Sequence, residues 1–187
     1  MQKLFFYDLE TTGLDCKIHG IHQLSAYIEI DGKILEKISH NIKPYEGCIV
    51  DKKAIEVSNV TEAQIMAYPT MANAYVSLMD SLAKYADKFD SKDKFHLVGY
   101  NNNAFDNRFF RAFFDRMNDK YFGSWFWSDS IDTMCLAANK LKSVRSTMPN
   151  FQLQTAARQL GIEVDATKLH NAEYDLHLTR EIYYKCS

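Results

Sequence analysis

Asp31-Gly32 stands between two runs, residues 21 to 30 and 33 to 42, that are rich in apolar and β-branched side chains. This dipeptide accepts the positive φ angles of a two-residue hairpin turn at little steric cost, so the two runs predict a pair of antiparallel strands. Residues 4 to 8 read as a short buried strand ahead of them, and the chain therefore opens with three adjacent strands. Over 71 to 86 the spacing changes. Met71, Ala74, Tyr75, Leu78, Met79, Leu82 and Tyr85 recur at intervals of three and four, the stripe of a helix laid on a sheet.

The second half alternates. Residues 95 to 100 predict another buried strand, and over 104 to 117 Phe105, Phe109, Phe113 and Met117 mark one face of a helix. Residues 124 to 128 predict a further strand, followed by a helix beginning near 129 to 132. A helix over 151 to 160 is expected to stop at Gly161, a natural left-handed cap, and a last helix is expected from Asn171 to Tyr184. Strands first, then alternating strands and helices, predict an α/β fold with one mixed sheet covered by helices.

Composition sets the limits on this plan. The 187 residues are 47% apolar and 25% charged, with 3 Pro and 7 Gly, which suits a single domain with a substantial core rather than a linker-joined pair. Asp8 and Glu10 break the first apolar run too early for a signal peptide, and no stretch approaches the ~20 apolar residues of a membrane span. An intracellular, cytoplasmic protein without membrane contact is expected. Cys16, Cys48, Cys135 and Cys186 are scattered and form no CxxC pair, so idle thiols are expected rather than disulfides or a metal site. A formal charge of −2 excludes a strongly basic grip on long duplex DNA but leaves short or single strands open. Bound divalent cations would change that balance where the carboxylates cluster.

Asp8 and Glu10 lie two apart at a strand end, so their side chains leave on one face, where two ionised carboxylates repel unless a cation separates them. A solvated strand end would also accommodate them. Asp106 falls near the start of a helix, where a negative charge is favoured by the helix terminus alone. The same edge of an α/β sheet is where such proteins assemble their sites, and Asp106 can reach the cation site of Asp8 from there. His170 and Asp175 are five residues apart, about 140° around an ideal helix, so His170 should precede the last helix, with Asn171 as its cap. An imidazole there either lies on the surface or swings over the carboxylates.

These residues carry a family resemblance. Phe6-Tyr7-Asp8-Leu9-Glu10-Thr11-Thr12-Gly13-Leu14, then Asn102-Asn103-Ala104-Phe105-Asp106, then His170-Asn171-Ala172-Glu173-Tyr174-Asp175 resemble the three motifs of the DEDDh 3′-to-5′ exonucleases. That superfamily includes proofreading subunits of bacterial replicative polymerases, ribonuclease T and oligoribonucleases. The resemblance runs from residue 4 to about 180. Ser130-Ile131-Asp132-Thr133-Met134 is similar to the family's strand-to-helix joint, and 151 to 162 to the helix ahead of the last motif. Tyr100 and Asn101 stand where many relatives have Gly and His, and Leu176 and His177 replace small residues.

The resemblance implies an RNase H-like fold and a single exonuclease domain over 1–187. It implies that Asp8, Glu10, Asp106 and Asp175 hold two magnesium or manganese ions, with Asp8 bridging them, and that His170 is the general base. Asn171 occupies the place of the tyrosine in the sister DEDDy group, which favours the histidine class. Thr11, Thr12 and Leu14, with Asn102 of the second motif, are expected to contact the terminal nucleotide. The implied reaction releases nucleoside 5′-monophosphates from single-stranded or frayed 3′ ends, DNA ahead of RNA. An RNA trimmer similar to ribonuclease T or oligoribonuclease is the alternative, and a non-catalytic subunit that binds nucleic acid or docks on a polymerase is the non-enzyme one. The partners implied are a 3′ end and a polymerase or other replication or repair protein, and the chain would act as a monomer or homodimer.

Two basic and aromatic groupings leave their roles open. Phe109, Phe110, Phe113, Phe114, Tyr121, Phe122, Trp125, Phe126 and Trp127 are expected mostly in the core, with base stacking as the other use. Lys140, Lys142, Arg145, Arg158 and Lys168 can line a phosphate track or form solvated faces.

Overall fold

A computed structural model describes residues 1–169 and 171–187. His170 lies outside the described residues. Five strands form one mixed sheet in the order β3-β2-β1-β4-β5. β1 (Lys3–Thr11), β2 (Ile21–Ile30) and β3 (Lys33–Asn41) are antiparallel neighbours, and β4 (His96–Gly99) and β5 (Ile131–Asp132) run parallel to β1. Asp31 at φ 48° and Gly32 at φ 81° make the expected hairpin turn.

Alternation along β1 feeds two cores. Phe5, Tyr7 and Leu9 face α3 (Met71–Ala83) and α4 (Asp106–Arg116), packing with Leu78, Leu82, Phe109, Phe110 and Phe114. Leu4 and Phe6 face the opposite way, onto Leu176 and Tyr183 of α8 (Ala172–Cys186). A third cluster joins α8 to α6 (Thr133–Lys140) and α7 (Leu153–Gln159) through Ala137, Ala156, Ala157, Leu178 and Ile182. The sheet is therefore a layer between helices, as expected. Gly161, at φ 73°, ends α7 in the left-handed conformation.

The strand expected at 124 to 128 does not form. A short helix, α5 (Phe122–Trp125), occupies its first half, Phe126 makes only an isolated bridge to Phe95, and the last strand is Ile131–Asp132. Phe122, Trp125 and Phe126 are spaced i, i+3, i+4 and all three are buried, so helical spacing decides the conformation over the alternation of Trp125 and Trp127. Asp132 then caps α6, accepting from the Met134 N–H at 3.0 Å.

Most of the aromatics between Phe109 and Trp127 are core, in agreement with the sequence. Phe110 meets Phe5 in a parallel stack at 6.0 Å and also touches Tyr7, Phe113, Phe114, Phe122 and Phe126. Tyr121 is exposed, and Trp127 is half-buried beneath the Lys94 ammonium and beside His96. The four cysteines are free. Among the described residues no helix is long and apolar enough to cross a membrane.

Candidate active site

Asp8 and Glu10 continue the face of β1 that carries Leu4 and Phe6, so both project toward α8. They lie opposite Ser25 and Gln23 of β2, and the register shifts immediately after Glu10. Asp175 sits in the first turns of α8, where the Asn171 side chain caps the helix by accepting from the Glu173 and Tyr174 N–H groups at 3.1 Å. Asp106 opens α4 from the other side of the sheet and is 6% exposed. Three elements distant in sequence thus bring four carboxylates to one edge.

The electrostatics record their proximity. Burial, followed by the negative charges of Asp106, Glu10 and Asp175, raises the Asp8 carboxyl well above the usual carboxylate range. Burial also pushes Asp106 up to about 7, with Glu10 and Asp132 adding to it, although the backbone N–H groups of Asp106 and Leu9 pull it down. The phenol of Tyr7 is held neutral by burial and by Asp106, and donates to Asn107 Oδ1 at 2.6 Å.

The first-motif loop is locked by its own threonines. Thr11 Oγ1 donates to the Gly13 carbonyl at 2.8 Å. Thr12 Oγ1 donates to the Ile49 carbonyl at 2.8 Å and accepts from the Gly20 N–H at 3.0 Å. Thr12 and Asn102 are fully buried and Thr11 nearly so, whereas Leu14 is 79% exposed. Of the four expected nucleotide contacts, only Leu14 presents its side chain to solvent. Gly13 is required by close approach: the His19 ring lies 2.4–2.5 Å from where a Cβ would stand, and His19 Nδ1 is 2.8 Å from the Ile49 carbonyl. Asn102 packs similarly on Gly99, whose Cβ would meet the Asn102 Cβ at 2.8 Å.

The departures from the family pattern have local roles. Tyr100 donates to the Phe151 carbonyl at 2.7 Å, and Asn101, at φ 59°, gives its N–H to Asp132 Oδ1 at 2.9 Å. Leu176 is core, and His177 is exposed on the wall of a cleft of about 760 Å³ beside the first turns of α8. Arg145 stacks on Phe151 and Lys168 pairs with Asp165 at 3.5 Å, so these two basic groups are engaged locally.

One residue at this edge has no counterpart in the sequence reading. Ser58 Oγ donates to Glu10 Oε2 at 2.6 Å. It lies at the end of α1 (Lys52–Val57), which, with α2 (Glu62–Met66), the periodicity did not reveal. Both helices are too short for a stripe, and their signal is in the caps: Asp51 accepts from the Lys53 N–H, and Thr61 with Gln64 forms a capping box.

Grouped carboxylates, with those of Asp8 and Asp106 raised, suit a hard divalent cation, which takes oxygen ligands and removes the mutual repulsion. Among the described residues no three His, Cys, Asp or Glu side chains form a finished metal cage, so the fit rests on donor chemistry rather than on a preformed shell.

Comparison with known proteins identifies the family. The chain is 28% identical to ribonuclease T of Hahella chejuensis over 183 residues, covering 94% of this chain and 79% of that protein. It is 26% identical to the PolC-type DNA polymerase III of Mycoplasmopsis pulmonis over 182 residues, covering 97% of this chain but 11% of the polymerase. Escherichia coli exonuclease I, solved with a dT13 oligonucleotide, superposes with a TM-score of 0.75 at 20% identity, over 98% of this chain and 40% of its own. The chain thus spans a minor part of the polymerase and of exonuclease I. The RNase_T exonuclease model matches residues 5–183, and the chain belongs to that exonuclease family.

Proposed function

We propose that this chain is a divalent-metal-dependent 3′-to-5′ exonuclease that releases nucleoside 5′-monophosphates from single-stranded or frayed 3′ ends, and that 1–187 form one such domain. The observation that carries the reading is the meeting of Asp8 with Glu10, Asp106 and Asp175, whose charges all raise its carboxyl or that of a neighbour. Folding together acids from β1, α4 and α8 costs stability unless a cation is the intended occupant.

In this reading Asp8, Glu10, Asp106 and Asp175 would hold two divalent cations, magnesium or manganese. Once bound, such ions would supply the means to activate water and to stabilise the leaving 3′ oxygen of an in-line displacement. His170, assigned from the motif resemblance, takes the proton from the attacking water, a task suited to an imidazole whose ordinary pKa is near 6.5. Leu14, exposed beside the first-motif loop, packs against the terminal nucleotide. Thr11 and Thr12 keep that loop in place, and Asn102 packs on Gly99 at the end of β4.

DNA is the favoured substrate, because the polymerase relative and the oligonucleotide-bound exonuclease I both concern DNA. The ribonuclease T relative, of which this chain spans the larger share, supports RNA as the second reading. A polymerase or repair protein is the partner suggested by the PolC-type relatives.

Chromatography of the products tests the chemistry. Incubation of a single strand with magnesium or manganese should yield nucleoside 5′-monophosphates, none with EDTA, and about 10³-fold less with Asp8→Ala. That factor follows from losing several kcal/mol of transition-state stabilisation at 1.36 kcal/mol per tenfold. Nucleotide release of equal rate in EDTA, or from Asp8→Ala, would overturn the reading.

A further inference from the structure

We infer that Ser58 is a positioning residue that fixes Glu10 for the metal ions, an inference that rests on the metal-dependent reading above. The 2.6 Å distance between Ser58 Oγ and Glu10 Oε2 is that of a hydroxyl donating to an ionised carboxylate. Glu10 is half-buried at the end of β1, and the Ser58 bond restricts the rotamers of its long side chain. The Ser58 bond holds one oxygen of a carboxylate whose charge acts on both Asp8 and Asp106.

Ser58 can do this because its own position is fixed from both sides. Asp51, the cap of α1, gives its N–H to the Thr12 carbonyl at 2.8 Å, tying the start of the helix to the first-motif loop. Ile55 is buried and anchors the middle of the helix. Asn59 turns into the left-handed region at φ 54° and ends the helix, while the Val60 N–H returns to the Ile55 carbonyl at 3.1 Å. The hydroxyl therefore approaches Glu10 from a short element that touches the first motif twice, once through backbone and once through Ser58.

Hydrogen bonds of this kind to metal-binding carboxylates are worth about 10- to 100-fold in metal affinity. The experiment is calorimetric titration of manganese into the wild type, Ser58→Ala and Ser58→Thr, with melting temperature in EDTA as the fold control. Ser58→Ala should weaken manganese binding about 10-fold or more and raise by a similar factor the magnesium concentration giving half-maximal nucleotide release, with melting in EDTA unchanged. Ser58→Thr, which keeps the hydroxyl, should restore both.

Wild-type manganese affinity in Ser58→Ala would overturn the inference, and so would a loss that threonine fails to restore, which would mark a packing effect. In either case wild-type release of nucleotides leaves the exonuclease reading standing. If the wild type bound no manganese and released nothing, that reading would fall and the inference with it.

Discussion

At the scale of single residues, two kinds of buried titratable group behave differently. The acids around Asp8 are crowded by like charge, whereas His22 is isolated: it is 1% exposed, its Nε2 has no hydrogen-bond partner among the described residues, and burial lowers its pKa to about 4. An unfolded chain protonates this imidazole below about pH 6.5, while the folded one resists until about pH 4. The unfolded state therefore holds more protons in that window, and stability present above pH 6.5 is lost as the pH falls toward 4. At 1.36 kcal/mol per pKa unit the loss is about 3 kcal/mol. Urea unfolding of the wild type and His22→Gln between pH 7 and 4 checks this: the wild type should lose more stability than the variant, and parallel curves would contradict it.

At the scale of elements, the aromatic face of α4 is the main adhesive between helix and sheet. Phe110 contacts six aromatic rings and is fully buried. Phe110→Ala should destabilise the protein by about 3 to 5 kcal/mol in urea unfolding, the range for a large core truncation. A cost under 1 kcal/mol would mean that α4 is held by something else. This helix, the hairpin and α8 were all legible from the sequence, because each is long enough for its hydrophobic period to repeat. α1, α2 and α5 were not. Their four to six residues contain a single repeat at most, so caps and tertiary contacts decide them. Ser58 was hidden for the same reason, since a lone serine acquires meaning only when α1 brings it to Glu10.

At the scale of the whole molecule, the sheet edge explains which site residues could be read in advance. Asp8, Glu10, Asp106 and Asp175 belong to β1, α4 and α8, elements expected from the sequence whose ends share one edge, so the fold brings the four proposed ligands together. The burial of the proposed nucleotide contacts was harder to read, because a linear pattern does not encode which of Thr12, Asn102 and Leu14 the fold covers. Thr12 and Asn102 are fully buried here. His170 lies outside the described residues, and its role rests on the motif alone.

The most direct test of the central claim is a gel time course with 5′-labelled single-stranded DNA, single-stranded RNA and blunt duplex, each with magnesium, manganese or EDTA. A metal-dependent ladder that shortens stepwise from the 3′ end, faster on single strands than on blunt duplex and absent with Asp8→Ala, is the expected result. Intact substrate in both metals, from a folded protein that still binds a single strand, would contradict it and leave a binding subunit in its place.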